Sequence, residues 1–72
     1  MNTIAHIRKS VLKVSQSELA DVAGTKQATV SRWETNQLSP DLEQLKSIRE
    51  EVLRRGLDWD DAWFFSAPEA VA

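Results

Sequence analysis

An all-α, compact bundle of about five short helices is the fold that three observations on this sequence predict. Apolar residues recur at intervals of three and four along most of the chain, the spacing of one helical face. Helix-start and helix-stop residues punctuate that pattern at short intervals. No stretch alternates apolar and polar residues as a half-buried strand requires, and no internal repeat is present.

The elements follow in order. Ile4, Ile7, Val11 and Val14 mark a first helix over about residues 3–13, with Asn2 or Thr3 as its cap. Ser15-Gln16-Ser17-Glu18 reads as a capping box, in which the Ser15 hydroxyl and the Glu18 carboxylate each accept from the other residue's amide. A second helix therefore starts at Gln16, buries Leu19, Ala20 and Ala23, and stops at Gly24, a residue that enters the left-handed region at little cost. Val30 and Trp33 give a third helix its apolar side, and Asn36 is its left-handed stop. Ser39-Pro40-Asp41 starts a fourth, with Ser39 as cap and Pro40 in first place. Leu42, Leu45, Ile48, Val52 and Leu53 carry that helix to Gly56. A shorter fifth segment, capped by Asp58, holds Trp59, Trp63, Phe64 and Phe65. The expected organisation is one domain over residues 1–65 and a frayed tail over 66–72.

Composition narrows the function classes. A chain of 72 residues supports one modest core and leaves no room for a separate ligand-binding domain. Cysteine is absent, so neither disulfides nor thiolate metal sites contribute, and no cofactor or metal is expected. No apolar run approaches the roughly 18 residues of a membrane span and no signal-peptide pattern opens the chain, which makes a cytoplasmic, nucleoid-associated location the expectation. With one histidine, no glycine-rich phosphate loop, and adjacent acidic pairs (Glu50-Glu51, Asp60-Asp61) that read as solvated surface, an enzyme is not expected. The net charge of −2 is unevenly spread: residues 1–36 carry five basic and three acidic groups, and residues 37–72 carry four and eight. Phosphate contact depends on which face carries Lys and Arg, so the positive first half matters more than the sum.

The informative stretch runs from Ser15 to Glu34. Two helices joined by so short a turn must cross steeply, and Ala20 supplies the small side chain needed there. Gly24 supplies the turn, and Val30 and Trp33 anchor the inner face of the second helix, leaving its outer face projecting. This joint spacing of Gln16, Ala20, Gly24, Val30 and Trp33 resembles the helix-turn-helix family of the phage Cro and lambda-type repressors, also called the xenobiotic-response-element family. The resemblance covers about residues 3–55 and implies a sequence-specific regulator that lays the third helix in the major groove of double-stranded DNA.

What the resemblance implies can be carried over position by position. Gln16 would bond a phosphate and brace the first reading residue; Gln27 would read an adenine edge, donating to N7 and accepting from N6. Ala28, Ser31 and Arg32 occupy the other groove-facing positions: Ala28 offers only a methyl, and Arg32 would clasp a guanine or, failing that, a phosphate. Thr25 and Lys26 would approach the DNA backbone, joined by Asn36 and Gln37 at the next turn. Glu34 matches a glutamate that pairs with a basic residue of the first helix, here Lys9. Trp33 invites a base-stacking reading, but its register with Val30 places it in the core; His6, alone among potential ligands, reads as surface. The pattern departs from the family at Lys26, where a capping Ser or Thr is usual and Thr25 is the substitute cap. It departs again at Asn36, which stands where Gly is usual.

One short helix reads few base pairs, so a two-fold homodimer on a palindromic operator is expected. Leu57, Trp59, Trp63, Phe64 and Phe65 are its expected interface, with packing onto the monomer core as the competing use. Repression by occluding polymerase is the expected mode for so small a chain. An antitoxin-type module, in which the aromatic segment grips a partner protein, is the alternative.

Overall fold

The computed structural model describes residues 2–63, and the expectations for Phe64, Phe65 and the 66–72 tail fall outside them. Among the described residues there are four helical elements and no strand. The first, α1, is an α-helix over Thr3–His6 that continues as a wider π-helical turn over Ile7–Leu12. The others are α2 (Gln16–Ala23), α3 (Gln27–Glu34) and α4 (Leu42–Arg54). No helix among the described residues is long and apolar enough to cross a membrane.

The starts follow from capping chemistry. Asn2 caps α1, its side chain accepting from the Ala5 amide at 2.9 Å. Both halves of the Ser15–Glu18 box form, at 3.0 and 2.8 Å, and the bond from the Ser15 amide holds the Glu18 carboxyl below its usual range. α4 starts two residues later than Ser39 and Pro40 suggested. Asp41 is its cap and pairs reciprocally with Gln44, at 2.8 and 2.9 Å, whereas a helix capped by Ser39 would meet Leu42 at the reciprocating position and gain no such bond. Pro40 is left just outside the helix, buried.

The ends share one device. Gly24, Asn36 and Gly56 all adopt left-handed backbone, with φ of 74°, 64° and 76°. In each case the following amide reaches back five residues: Thr25 to Ala20 at 2.9 Å, Gln37 to Arg32 at 2.8 Å, and Leu57 to Val52 at 3.0 Å. These bonds satisfy carbonyls that the helix itself cannot. Lys13 ends α1 in the same region, at φ 57°, a conformation its residue type did not advertise.

The π turn alters the first helix's register. The Lys13 amide donates to the Arg8 carbonyl, five residues back, so more residues fit in the turn than the 3.6 of an α-helix. Leu12 is thereby carried fully inside, while Val11 and Val14 are only half-buried. The core gathers Ile4, Ile7, Leu12, Leu19, Ala20, Ala23, Val30, Trp33, Leu45, Ile48 and Val52 from all four helices. α2 packs on α3 and α4, and α1 on α3. Trp33 is its largest member and 1% exposed.

In the described part of the expected fifth segment only Trp63, its last residue, has helical backbone, so a helix does not start near Asp58. After Gly56 the chain is irregular, then turns at 61–62 into Trp63. Asp60 rather than Asp58 organises that turn, accepting from the Ala62 amide at 2.9 Å through its carboxylate and from the Trp63 amide at 2.9 Å through its carbonyl. Trp59 and Trp63 meet edge to face, centroids 4.9 Å apart, and pack against the core. His6 is exposed and meets the Trp63 ring edge-on at 5.8 Å.

Candidate nucleic-acid interface

Between α2 and α3 the chain turns through three residues, Gly24 to Lys26, and the buried Ala20 lies on the inner side of α2. Val30 and Trp33 point α3 inward. The opposite side therefore faces solvent: Gln27, Ala28 and Arg32 are exposed and Ser31 is half-buried, four positions that share one helical face. Lys26 is the residue before α3, but its side chain makes no capping bond, and Thr25 does not replace it. The amides of Gln27 and Ala28 thus keep no partner among the described residues, at the positive end of the helix dipole.

A chain of hydrogen bonds fixes how Gln27 presents its amide. Glu34, at the last turn of α3, forms a two-pronged pair with Arg8: Nε to Oε2 at 2.5 Å and Nη2 to Oε1 at 3.0 Å. Arg8 Nη1 also donates to the Val14 carbonyl at 3.1 Å. The expected partner was Lys9; the planar guanidinium fork matches a carboxylate in a way a lysine point charge does not, and Lys9 stays exposed, acting on Glu34 only through its charge. The pair is also more enclosed than a surface bridge, with side chains 13% and 9% exposed. Burial disfavours charge on Glu34, but the hydrogen bonds from Arg8 and Gln16 outweigh it and leave the carboxyl below its usual range. The hydrogen bond to Glu34 likewise raises Arg8 above its ordinary value.

An ionised carboxylate only accepts, so it forces the Gln16 amide to turn Nε2 toward Glu34, at 3.1 Å. Gln16 Oε1 then faces Gln27 and accepts from its Nε2 at 2.7 Å. Gln27 is left with its Oε1 and one N–H pointing outward. That is the acceptor-plus-donor pair that an adenine edge takes in the major groove. Gln16 retains one N–H of its own.

The cations differ in whether an acid holds them. Arg54 and Arg55 are held by Glu51, whose carboxyl their hydrogen bonds push down to about 2, and Arg49 stands 4.0 Å from Asp61. Lys9, Lys13, Lys26 and Arg32 in the first half, and Lys46 alone in the second, enter no ion pair among the described residues. Beyond α3, Asn36 and Gln37 are exposed, with Gln37 Nε2 turned back onto Thr35 Oγ1 at 3.0 Å; Thr25 is half-buried in the earlier turn.

A helix-turn-helix family model matches residues 4–59. This chain belongs to the helix-turn-helix family of Cro and lambda-type regulators. No curated protein and no solved structure matches it. The family is one of DNA-binding transcription regulators rather than of enzymes, and the helix-turn-helix here is α2 and α3.

Two features that support the site were not legible in the sequence. Arg8, not the expected Lys9, holds Glu34; the signal for it is that an arginine directly after the buried Ile7 lies at the edge of the inner face. Asn2 is more than a cap: its side chain also reaches Trp33 and Asn36, more than 30 residues away. Of the expected interface residues, Trp59 and Trp63 are half-buried against the core, whereas Leu57 is 36% exposed.

Proposed function

We propose that this helix-turn-helix protein is a sequence-specific repressor that binds a palindromic operator as a homodimer, with α3 of each subunit in a major groove. Gln27, Ala28, Ser31 and Arg32 face base edges; Gln16, Thr25, Lys26, Asn36 and Gln37 face phosphates. The observation that carries this reading is the relay from Arg8 through Glu34 and Gln16 to Gln27. A solvated surface glutamine has no need of a fixed amide, whereas a base reader gains discrimination from one set in advance. Half-sites doubled by two-fold symmetry supply the selectivity that one eight-residue helix lacks. Leu53 and Leu57, 44% and 36% exposed at the end of α4, offer apolar surface to a second subunit. Repression by occupancy requires nothing beyond the bound protein itself.

Titration of labelled duplexes against rising salt tests the reading. Each neutralised phosphate contributes about −0.9 to the slope of log affinity against log salt, so binding should weaken steeply. Lys26→Ala should weaken all duplexes about equally and flatten that slope by roughly one contact, without altering which duplex is preferred. A salt-independent association, or a Lys26→Ala protein whose slope is unchanged, would count against it.

A further inference from the structure

The carboxyl-terminal end of α3 is oriented by a second relay, independent of the first. Asn2 Oδ1 accepts from the Ala5 amide at 2.9 Å, so its Nδ2 must face the other way. There it donates to the Trp33 carbonyl at 2.6 Å and to Asn36 Oδ1 at 3.0 Å. Both neighbours dictate the assignment, because a backbone amide can only donate and a backbone carbonyl can only accept. With Asn2 presenting a donor, Asn36 has to present its oxygen. Its own Nδ2 is then turned outward from an exposed residue whose backbone is held at φ 64° by the turn that ends α3. Both N–H groups of Asn2 Nδ2 are used, and its Oδ1 accepts: the side chain starts one helix and sets the residue just past the end of another.

We propose that Asn2 is a positioning residue for DNA binding, holding the Asn36 amide so that Nδ2 donates to a backbone phosphate. The inference rests on the DNA-binding reading above. It assigns Asn36 a donor role with a fixed direction, and it ties the start of α1 to the docking of α3. Since phosphate contacts carry no base information, the contribution should be the same on every sequence.

A double-mutant cycle on the full chain tests this, with a labelled mixed-sequence duplex at low ionic strength as the probe. Asn2→Ser keeps a cap for α1, because serine also accepts from the first-turn amides, but is too short to reach Asn36. Asn36→Gly removes the amide and suits the left-handed backbone. Each variant is expected to bind on the order of tenfold more weakly, the scale of a hydrogen bond to a charged group. The double variant should be no weaker than Asn36→Gly alone, while thermal melts show Asn2→Ser still folded. If Asn2→Ser binds as the parent does, or if the two losses add, the positioning role is overturned while the DNA-binding reading stands. If the parent chain retains no duplex at all, the reading falls, and the role of Asn2 with it.

Discussion

Replacing Trp33 by alanine is expected to cost about 3–5 kcal/mol of stability, the range for emptying a buried tryptophan site. The ring is 1% exposed and shares the core with residues from all four helices, so no single side chain can move in to fill the space. A domain of this size has only about 4–11 kcal/mol to lose, so the variant should be partly unfolded at room temperature or melt on the order of 15–30 °C lower. Trp33 also lies on the inner face of α3, so the loss releases the recognition helix from the body that aims it. Thermal unfolding followed by circular dichroism checks this. A variant that melts within a few degrees of the parent would show that Trp33 is not a core residue.

Glu34→Gln is the second large effect, and it acts on two levels. The amide cannot serve both prongs of the Arg8 fork, and the loss of charge-assisted bonds within a 9%-exposed site is expected to cost about 2 kcal/mol. The pH dependence has a defined sign. Glu34 ionises below its usual range in the folded chain, so its contribution is fully present above roughly pH 5 and is lost as pH falls through the lowered folded value. The stability gap between parent and Glu34→Gln, measured by urea unfolding, should be constant above that pH and narrow below it; a gap that widens on acidification would contradict the pairing. The second level is recognition. A glutamine at this position can offer Gln16 either a donor or an acceptor, so the Gln16 and Gln27 amides are no longer forced into one orientation. Preference for adenine at the contacted base pair should blur more than overall affinity falls.

What could be read from the sequence, and what could not, divides along sequence distance. The Ser15–Glu18 box and the left-handed stops at Gly24, Asn36 and Gly56 are set by residues within a few positions of one another, and all are present. The start of α4 moved from Ser39 to Asp41 because two local signals competed, and only Asp41 has a reciprocating partner three residues on. The π turn over Ile7–Leu12 was not visible because the apolar spacing there fits a 3.6-residue period well enough, and the wider turn was chosen by packing. Its consequence is the exchange of Leu12 for Val11 in the core. The candidate site shows the same division. Gln27, Ala28 and Arg32 were placed outward by the positions of Val30 and Trp33 on the same helix. Their orientation depends on Arg8, Gln16 and Asn2, whose partners lie 11 to 34 residues away and which no local pattern joins.

Selection of bound duplexes from a random pool, run in parallel with the parent chain and with Gln27→Ala, tests the central claim most directly. The parent should enrich a two-fold symmetric site with a fixed adenine in each half. Gln27→Ala should lose discrimination at that one base pair, by about 1–3 kcal/mol per half-site, while the remaining positions keep theirs. If Gln27→Ala enriches the same site with the same base preferences, or if the parent enriches no sequence at low ionic strength, then α3 does not read DNA through Gln27.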